Sequence, residues 1–385
     1  MPDLTTRFAG LEMPTPIVLG SAGTSETVER MLEAESRGAG AVVMKSLFEL
    51  EVTRKAPRPC FRVLKHDLGK LKTFTLYSYE QASVWGPERY AAEIARAGRE
   101  VRIPVFVSIN CYTPEGWTEY ARVCEGAGAD AIELNVSCPH SSLALSAGDL
   151  VIEEVMRVTE MVRNAVRVPL VVKLPPQLTA PPAAVKAAAE AGADGVVMFN
   201  RHTGLDIDVQ AERPVMHGGY AGHGGPWAIG LPLRWISAVS PSAPIPISGS
   251  GGVTTGDDVV KFLLAGATTV QVCTAVYLEG FKVLQDLKEG LESWMASKGY
   301  ESIDDFRGKV SGDAVLDVNR VDRSQDRTYF IDLETCTGCR RCAEICIYGA
   351  PKPAGDGKKY AIGRECVGCG LCAELCPVGA IAPTD

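Results

Sequence analysis

Gly192-Ala193-Asp194-Gly195-Val196-Val197-Met198-Phe199-Asn200 opens on a glycine–alanine step, runs through apolar residues and ends on an amide. A helix closing at a glycine cap, followed by a turn into a buried strand, produces that pattern. The same lead-in recurs at Gly38-Ala39, Gly128-Ala129 and Gly266-Ala267, each before another apolar run. The runs do not alternate apolar with polar, so both faces of each strand are expected to be covered. Working outward, strands are expected at 16–20, 40–45, 104–109, 130–135, 168–173, 194–199, 244–248 and 268–273. Amphipathic helical stretches lie between most of them, at 87–101, 116–127, 150–166, 181–191, 256–265 and 279–297. Eight βα units in about 300 residues point to an α/β fold of the TIM (β/α)8 barrel type. A doubly wound sheet is the alternative. Residues 47–80 form a long excursion after the second strand, read as two short strands and a loop over the barrel mouth.

Barrel enzymes place their chemistry at the C-terminal strand ends. Those ends carry Ser21, Lys45-Ser46, Asn110, Asn135-Val136-Ser137-Cys138, Lys173, Asn200-Arg201, Gly249-Ser250-Gly251-Gly252 and Cys273-Thr274. Packing alone does not put polar residues and glycine there. Gly251 and Gly252 after strand seven, with Thr274 after strand eight, occupy the usual phosphate position of such barrels, where backbone N–H groups and a helix N-terminus hold the anion.

The chain has 385 residues, 46% hydrophobic and 22% charged, with a formal net charge of −8. That charge argues against non-specific nucleic-acid binding, which needs a basic face. No apolar run reaches the length of a membrane span, and the N-terminal residues lack a basic and an apolar signal segment. The expected location is cytoplasmic.

Thirteen cysteines are unevenly spread, and eight of them fall between 336 and 376. Cys336, Cys339, Cys342 and Cys346 form one C-x2-C-x2-C-x3-C run, and Cys366, Cys369, Cys372 and Cys376 form another. Two complete four-cysteine runs point to two [4Fe–4S] clusters, the fourth cysteine of each run ligating the other cluster. The expected sets are Cys336, Cys339, Cys342 and Cys376, and Cys366, Cys369, Cys372 and Cys346. Zinc sites usually show two-plus-two spacing instead. Ile347 stands where proline usually follows the fourth cysteine, and it removes no ligand. The domain plan is a barrel over 1–310, a linker over 311–328 and a small two-[4Fe–4S] ferredoxin-like domain over 329–385. Cys60, Cys111, Cys124 and Cys273 are read as structural.

At Glu133-Leu-Asn-Val-Ser-Cys-Pro-His140 the chain resembles the class 1 dihydroorotate dehydrogenases and, more closely, the dihydropyrimidine dehydrogenases. The likeness runs through VVMKS, VVKLPP, MFN, ISGSGGV and VCTAV, and the ferredoxin tail favours the bacterial pyrimidine-reducing type. This resemblance implies FMN in the barrel mouth. Ser21, Lys45, Ser46, Asn135 and Lys173 would contact the isoalloxazine or ribityl chain, and Gly222, Gly251, Gly252 and Thr274 would surround the phosphate. Cys138 would be the acid/base on a loop over the substrate, with the Ser-rich 141–148 as a lid. Asn135 and Asn200 would hold the substrate ring.

The resemblance also implies a small-molecule substrate and an electron-transfer partner, either an FAD/NAD(P)H flavoprotein subunit or a ferredoxin. The assembly would be a homodimer or hetero-oligomer. No G-x-G-x-x-G dinucleotide fingerprint occurs in this chain. A third family asparagine is missing from 74–80, where Leu76, Tyr77 and Ser78 stand. Arg201-His202 replaces the threonine that follows the family's asparagine. Arg201 would suit a carboxylate if it faces the site, and His202, His217 and His223 are further candidates whose placement the sequence leaves open.

Overall fold

The computed structural model describes residues 2–51, 58, 60–68, 71–78, 83–136, 151–215, 220–322, 327–355 and 357–384. It divides into two compact units that part between Val315 and Leu316.

The first unit opens with a hairpin, β1 (Thr6–Phe8) and β2 (Leu11–Met13). The barrel strands are β3 (Ile17–Leu19), β4 (Ala41–Phe48), β7 (Val105–Asn110), β8 (Ala131–Leu134), β9 (Leu170–Lys173), β10 (Gly195–Met198), β15 (Ile247–Ser250) and β16 (Thr269–Val272). They close in the order β10-β15-β16-β3-β4-β7-β8-β9, each strand pairing parallel with both its neighbours. The chain is therefore a TIM barrel, and each strand read from the sequence is one of its staves.

Strand parity explains why runs that look uniformly apolar still build a site. Outward residues such as Val42, Val107, Ile132, Val172 and Val196 join the large core beneath the helices. Inward residues Val18, Val43, Phe106, Ala131, Val171 and Val197 form a second core inside the barrel, closed below by Phe8, Ala9 and Met13 from the hairpin region. Side chains two residues apart share a face. The next inward rung above that plug is therefore Lys45, Ser108, Glu133 and Lys173, all buried.

The excursion after β4 builds β5 (Phe61–Leu68) and β6 (Leu71–Ser78). They are longer than the short strands expected, and they do not stand alone. β11 (His202–Gly204) and β14 (Ala221–Gly224) complete a four-stranded sheet in the order β11-β14-β6-β5, β14 running antiparallel to both its neighbours. A lone hairpin is marginal in water, and the added strands give it a packed face. A smaller ribbon, β12 (Ile207–Asp208) with β13 (Arg213–Pro214), lies in the loop between β11 and β14.

The second unit pairs β17 (Tyr329–Ile331) with β20 (Ile381–Pro383), and β18 (Pro351–Ala354) with β19 (Lys359–Ile362). Ile331, Tyr360 and Ile381 are its buried centre. No helix among the described residues is long and apolar enough to cross a membrane.

Candidate active site and cluster sites

A cavity open to solvent lies at the C-terminal ends of the barrel strands, with the β11-β14-β6 sheet as one wall. Ser21, Lys45, Ser46, Asn135, Lys173, Asn200, Arg201, Gly222, Gly251, Gly252 and Thr274 all line it. Among the described residues its lining contains three cations, Lys45, Lys173 and Arg201, and no carboxylate.

Lys45 and Ser46 both face the cavity although they are neighbours in one strand. The β4–β7 register shifts between Met44 and Leu47, so the two sit in a bulge. A bulge re-aims side chains and disturbs the ladder. The Tyr90 hydroxyl fills the gap, lying 2.9 Å from the Lys45 carbonyl oxygen and 3.1 Å from that of Ser108. Its own pKa is pushed far up, chiefly by burial.

A chain of hydrogen bonds crosses the cavity floor. Asn200 Nδ2 donates to Asn135 Oδ1 at 3.2 Å, and Asn135 Nδ2 donates to Ser46 Oγ at 3.2 Å. Ser46 Oγ lies 2.8 Å from Ser108 Oγ and 3.1 Å from Ser21 Oγ. Asn110 Nδ2 donates to the Asn135 carbonyl at 2.7 Å and holds that strand end. Beside this chain, Lys173 Nζ donates to Gln271 Oε1 at 2.8 Å and approaches Glu133 Oε1 at 3.4 Å. Gln271 Nε2 donates to Glu133 Oε2 at 2.9 Å, closing a triangle. Sequence reasoning passed over Glu133 and Gln271. A charge and an amide at inward positions of otherwise apolar strands were the available signal.

At the other end, Gly251 and Gly252 adopt φ +111° and +80°. An added Cβ at Gly252 would lie 2.6 Å from the Ile229 backbone nitrogen, so this turn needs glycine. The result is an exposed-backbone cradle beside Thr274 at the cavity edge, which fits a phosphate. Gly222, grouped with the phosphate from sequence, lines the cavity against the Arg201 guanidinium, and an added Cβ there would overlap it. Gly224 is the strand glycine that approaches Thr274 Oγ1. Two residues of strand separate these places by about 7 Å.

Arg201 points into the cavity rather than to the outer surface. Its Nη1 donates to Ser78 Oγ at 2.6 Å, and its backbone N–H donates to Asn200 Oδ1 at 2.8 Å. Among the described residues no carboxylate pairs with it. His202 and His223 face each other across β11 and β14 and both line the cavity. Burial lowers both imidazole pKa values, and His223 also feels His202 and Arg201. His223 Nε2 is buried with no hydrogen-bond partner among the described residues. Cys138, the 141–148 segment and His217 lie outside the described residues.

In the second unit, Cys336, Cys339, Cys342 and Cys376 line one cavity. Cys346, Cys366, Cys369 and Cys372 line another. The fourth cysteine of each run thus lies with the first three of the other. Backbone N–H groups donate to sulfur from Gly338 to Cys336 at 3.4 Å, Gly368 to Cys366 at 3.5 Å and Ala380 to Cys376 at 3.2 Å. Thiols ringed around a hollow, with amides aimed at them, suit cubane clusters. Ile347 is 86% exposed and takes no part in either cavity.

The profile of the dihydroorotate dehydrogenase family matches residues 3–295, and that of a 4Fe-4S dicluster domain matches residues 328–377. The chain is 34% identical over 308 residues to the dihydroorotate dehydrogenase B (NAD(+)) catalytic subunit of Pyrococcus abyssi, covering 79% of this chain and 98% of that protein. It is 29% identical over 358 residues to the NAD-dependent dihydropyrimidine dehydrogenase subunit PreA of Escherichia coli K12, covering 90% of this chain and 86% of that one. The Methanothermobacter thermautotrophicus dihydroorotate dehydrogenase B catalytic subunit is 33% identical over 310 residues, 79% of this chain and 97% of its own length. The family uses FMN, and the dicluster domain carries two [4Fe–4S] clusters. With that barrel, that cavity and those two thiol rings, the chain belongs to the dihydroorotate dehydrogenase family of flavin-dependent oxidoreductases acting on CH–CH bonds, and it carries a two-cluster ferredoxin domain.

Proposed function

We propose that this enzyme interconverts a C=C bond and its saturated form beside a carbonyl, on a substrate of the dihydropyrimidine or dihydroorotate type or on another cyclic or unsaturated acid. One observation carries the reading: the cavity lining holds three cations and no carboxylate among the described residues, with a glycine cradle at one end and paired asparagines at the other. FMN, when bound, exchanges a hydride through N5. Gly251, Gly252 and Thr274 would hold its phosphate, and Ser21, Lys45, Ser46, Asn135 and Lys173 would face its ring or ribityl chain.

Asn135 and Asn200 present amide donors and acceptors to a planar substrate. Arg201, steadied by Ser78, would pair with the carboxylate of a substrate that carries one. The asparagine missing from 74–80 leaves Leu76 and Ser78 on that wall, which weakens the match to a pyrimidine edge and favours the wider class of acids. Cys138 exchanges the proton at the carbon next to the one that exchanges hydride. Its unperturbed pKa of about 8.5 lets a thiol serve in either direction.

The two clusters, held by the eight cysteines, would carry single electrons to or from a partner, either a flavoprotein subunit carrying FAD and NAD(P)H or a ferredoxin. The P. abyssi and E. coli relatives, described respectively as a catalytic subunit and a subunit, support such a division of labour.

An anaerobic screen of pyrimidines and cyclic enoates against dithionite-reduced protein, following flavin reoxidation, tests the proposal. Acids are expected to reoxidise the flavin, and Arg201→Ala to raise their KM by about 10–100-fold, the worth of a charge-assisted hydrogen bond. If no compound reoxidises the flavin while the clusters still exchange electrons with a partner, the barrel is a scaffold and the reading fails.

A further inference from the structure

The two cysteine runs fold as copies of one plan. Gly338 matches Gly368 at φ +72° and +68°, Arg340 matches Gly370 at +67° and +78°, and Gly349 matches Gly379 at +63° and +65°. Short helices follow at the same place in each copy, Arg341–Ile345 and Leu371–Glu374. The backbone being equivalent, what separates the two cluster sites is their side chains.

They differ most at one dipeptide. The first run reads Cys339-Arg340-Arg341-Cys342, and the second reads Cys369-Gly370-Leu371-Cys372. Arg340 and Arg341 both line the first thiol cavity. The second is lined by Tyr329, Tyr348, Pro351, Ile362 and Val367 among others, with no charged residue among the described ones. Arg340 occupies a left-handed position that suits glycine and strains any other residue. Its copy has glycine there. Its guanidinium is held in place, Nε donating to Tyr360 Oη at 3.0 Å. The first site also has the additional amide from Ala380 to Cys376.

Reducing a [4Fe–4S] cluster by one electron adds one negative charge at the site. Nearby positive charge and N–H donors to sulfur stabilise the reduced form, and an uncharged apolar lining does not. We propose that the two clusters are unequal. The one held by Cys336, Cys339, Cys342 and Cys376 has the higher reduction potential and takes the first electron, because Arg340 and Arg341 stand beside it.

The test is a potentiometric titration of the full-length holoprotein, followed by electron paramagnetic resonance, with dithionite as the reductant that gives up the electrons. Iron content and visible absorption establish beforehand that both clusters are present in each variant, so loss of a cluster is not mistaken for a shift. Wild type is expected to reduce in two separate waves. Arg340→Gly with Arg341→Leu installs the second copy's own residues and relieves the left-handed arginine. It should lower the upper wave alone and narrow the gap. Arg341→Leu alone should do so in part. Leu371→Arg should raise the lower wave. Added salt should also narrow the gap, because Arg340 is exposed and its field is screened. Coincident waves in wild type would overturn the proposal, as would an upper wave that stays in place in the arginine variants or equal movement of both waves.

Discussion

The triangle of Lys173, Glu133 and Gln271 is the most demanding arrangement in the barrel and allows a quantitative test. The Lys173 and Glu133 side chains are 6% and 1% exposed and stand 3.4 Å apart. Replacing Glu133 with leucine leaves a buried ammonium whose remaining partner among the described residues is the Gln271 side-chain oxygen. Removing one partner of a buried pair costs about 3–5 kcal/mol, whereas replacing both by apolar groups is often neutral. At about 2–4 °C per kcal/mol for a large domain, Glu133→Leu should lower the barrel's unfolding midpoint by about 6–20 °C. Lys173→Met should act alike, since it strands the carboxylate. The double variant should return close to wild type, so that the coupling in a double-mutant cycle approaches the sum of the two single losses, about 6–10 kcal/mol. Circular dichroism on FMN-free protein measures it, so that flavin binding does not enter. Single variants within about 1 kcal/mol of wild type, or losses that simply add, would refute the account of Lys173 as a charge held by its neighbours.

Cys138→Ser should slow turnover by about 100-fold or more while flavin and iron contents stay at wild-type level, the scale of a lost general acid; near-wild-type turnover removes Cys138 from the mechanism. Gly252→Ala forces a side chain into a φ +80° turn against Ile229, so FMN should dissociate more readily in equilibrium dialysis while Gly10→Ala, whose added Cβ meets nothing within 4 Å, leaves flavin binding unchanged. Burial holds the His202 and His223 pKa values below 6.5, so the folded state binds fewer protons than the unfolded one as pH falls past that value. Stability from these two groups is then complete above about pH 6.5 and is lost as pH falls through their folded pKa values. His223→Gln should flatten that slope in urea unfolding followed between pH 7.5 and 5, and an unaltered slope would assign it elsewhere.

Much of this protein could be read along the chain because its fold is built from near-identical local units. Each barrel strand sits between helices, so its apolar run, its glycine lead-in and the polar residue at its end are neighbours in sequence. Lys45, Asn135, Lys173, Asn200 and Gly251–Gly252 were visible for that reason. The cluster cysteines were visible because ligand spacing is a property of a single tight loop. The crossing of the fourth thiols was expected because the fourth cysteine of such a run ligates the other cluster in two-cluster ferredoxins.

Other features depended on residues far apart in the chain. The bulge that turns both Lys45 and Ser46 inward is a mismatch between β4 and β7, and no single strand records it. Glu133, Lys173 and Gln271 come from three staves and meet only because the barrel closes. The cap sheet joins strands from 71–78 with 202–204 and 221–224, and that pairing decides that Arg201 and His223 face the cavity and that Gly222 lies beside a guanidinium. Local pattern specifies which elements form, because propensity and periodicity act over a few residues. Which side chains share a pocket depends on register and closure, which arise only when distant strands pair.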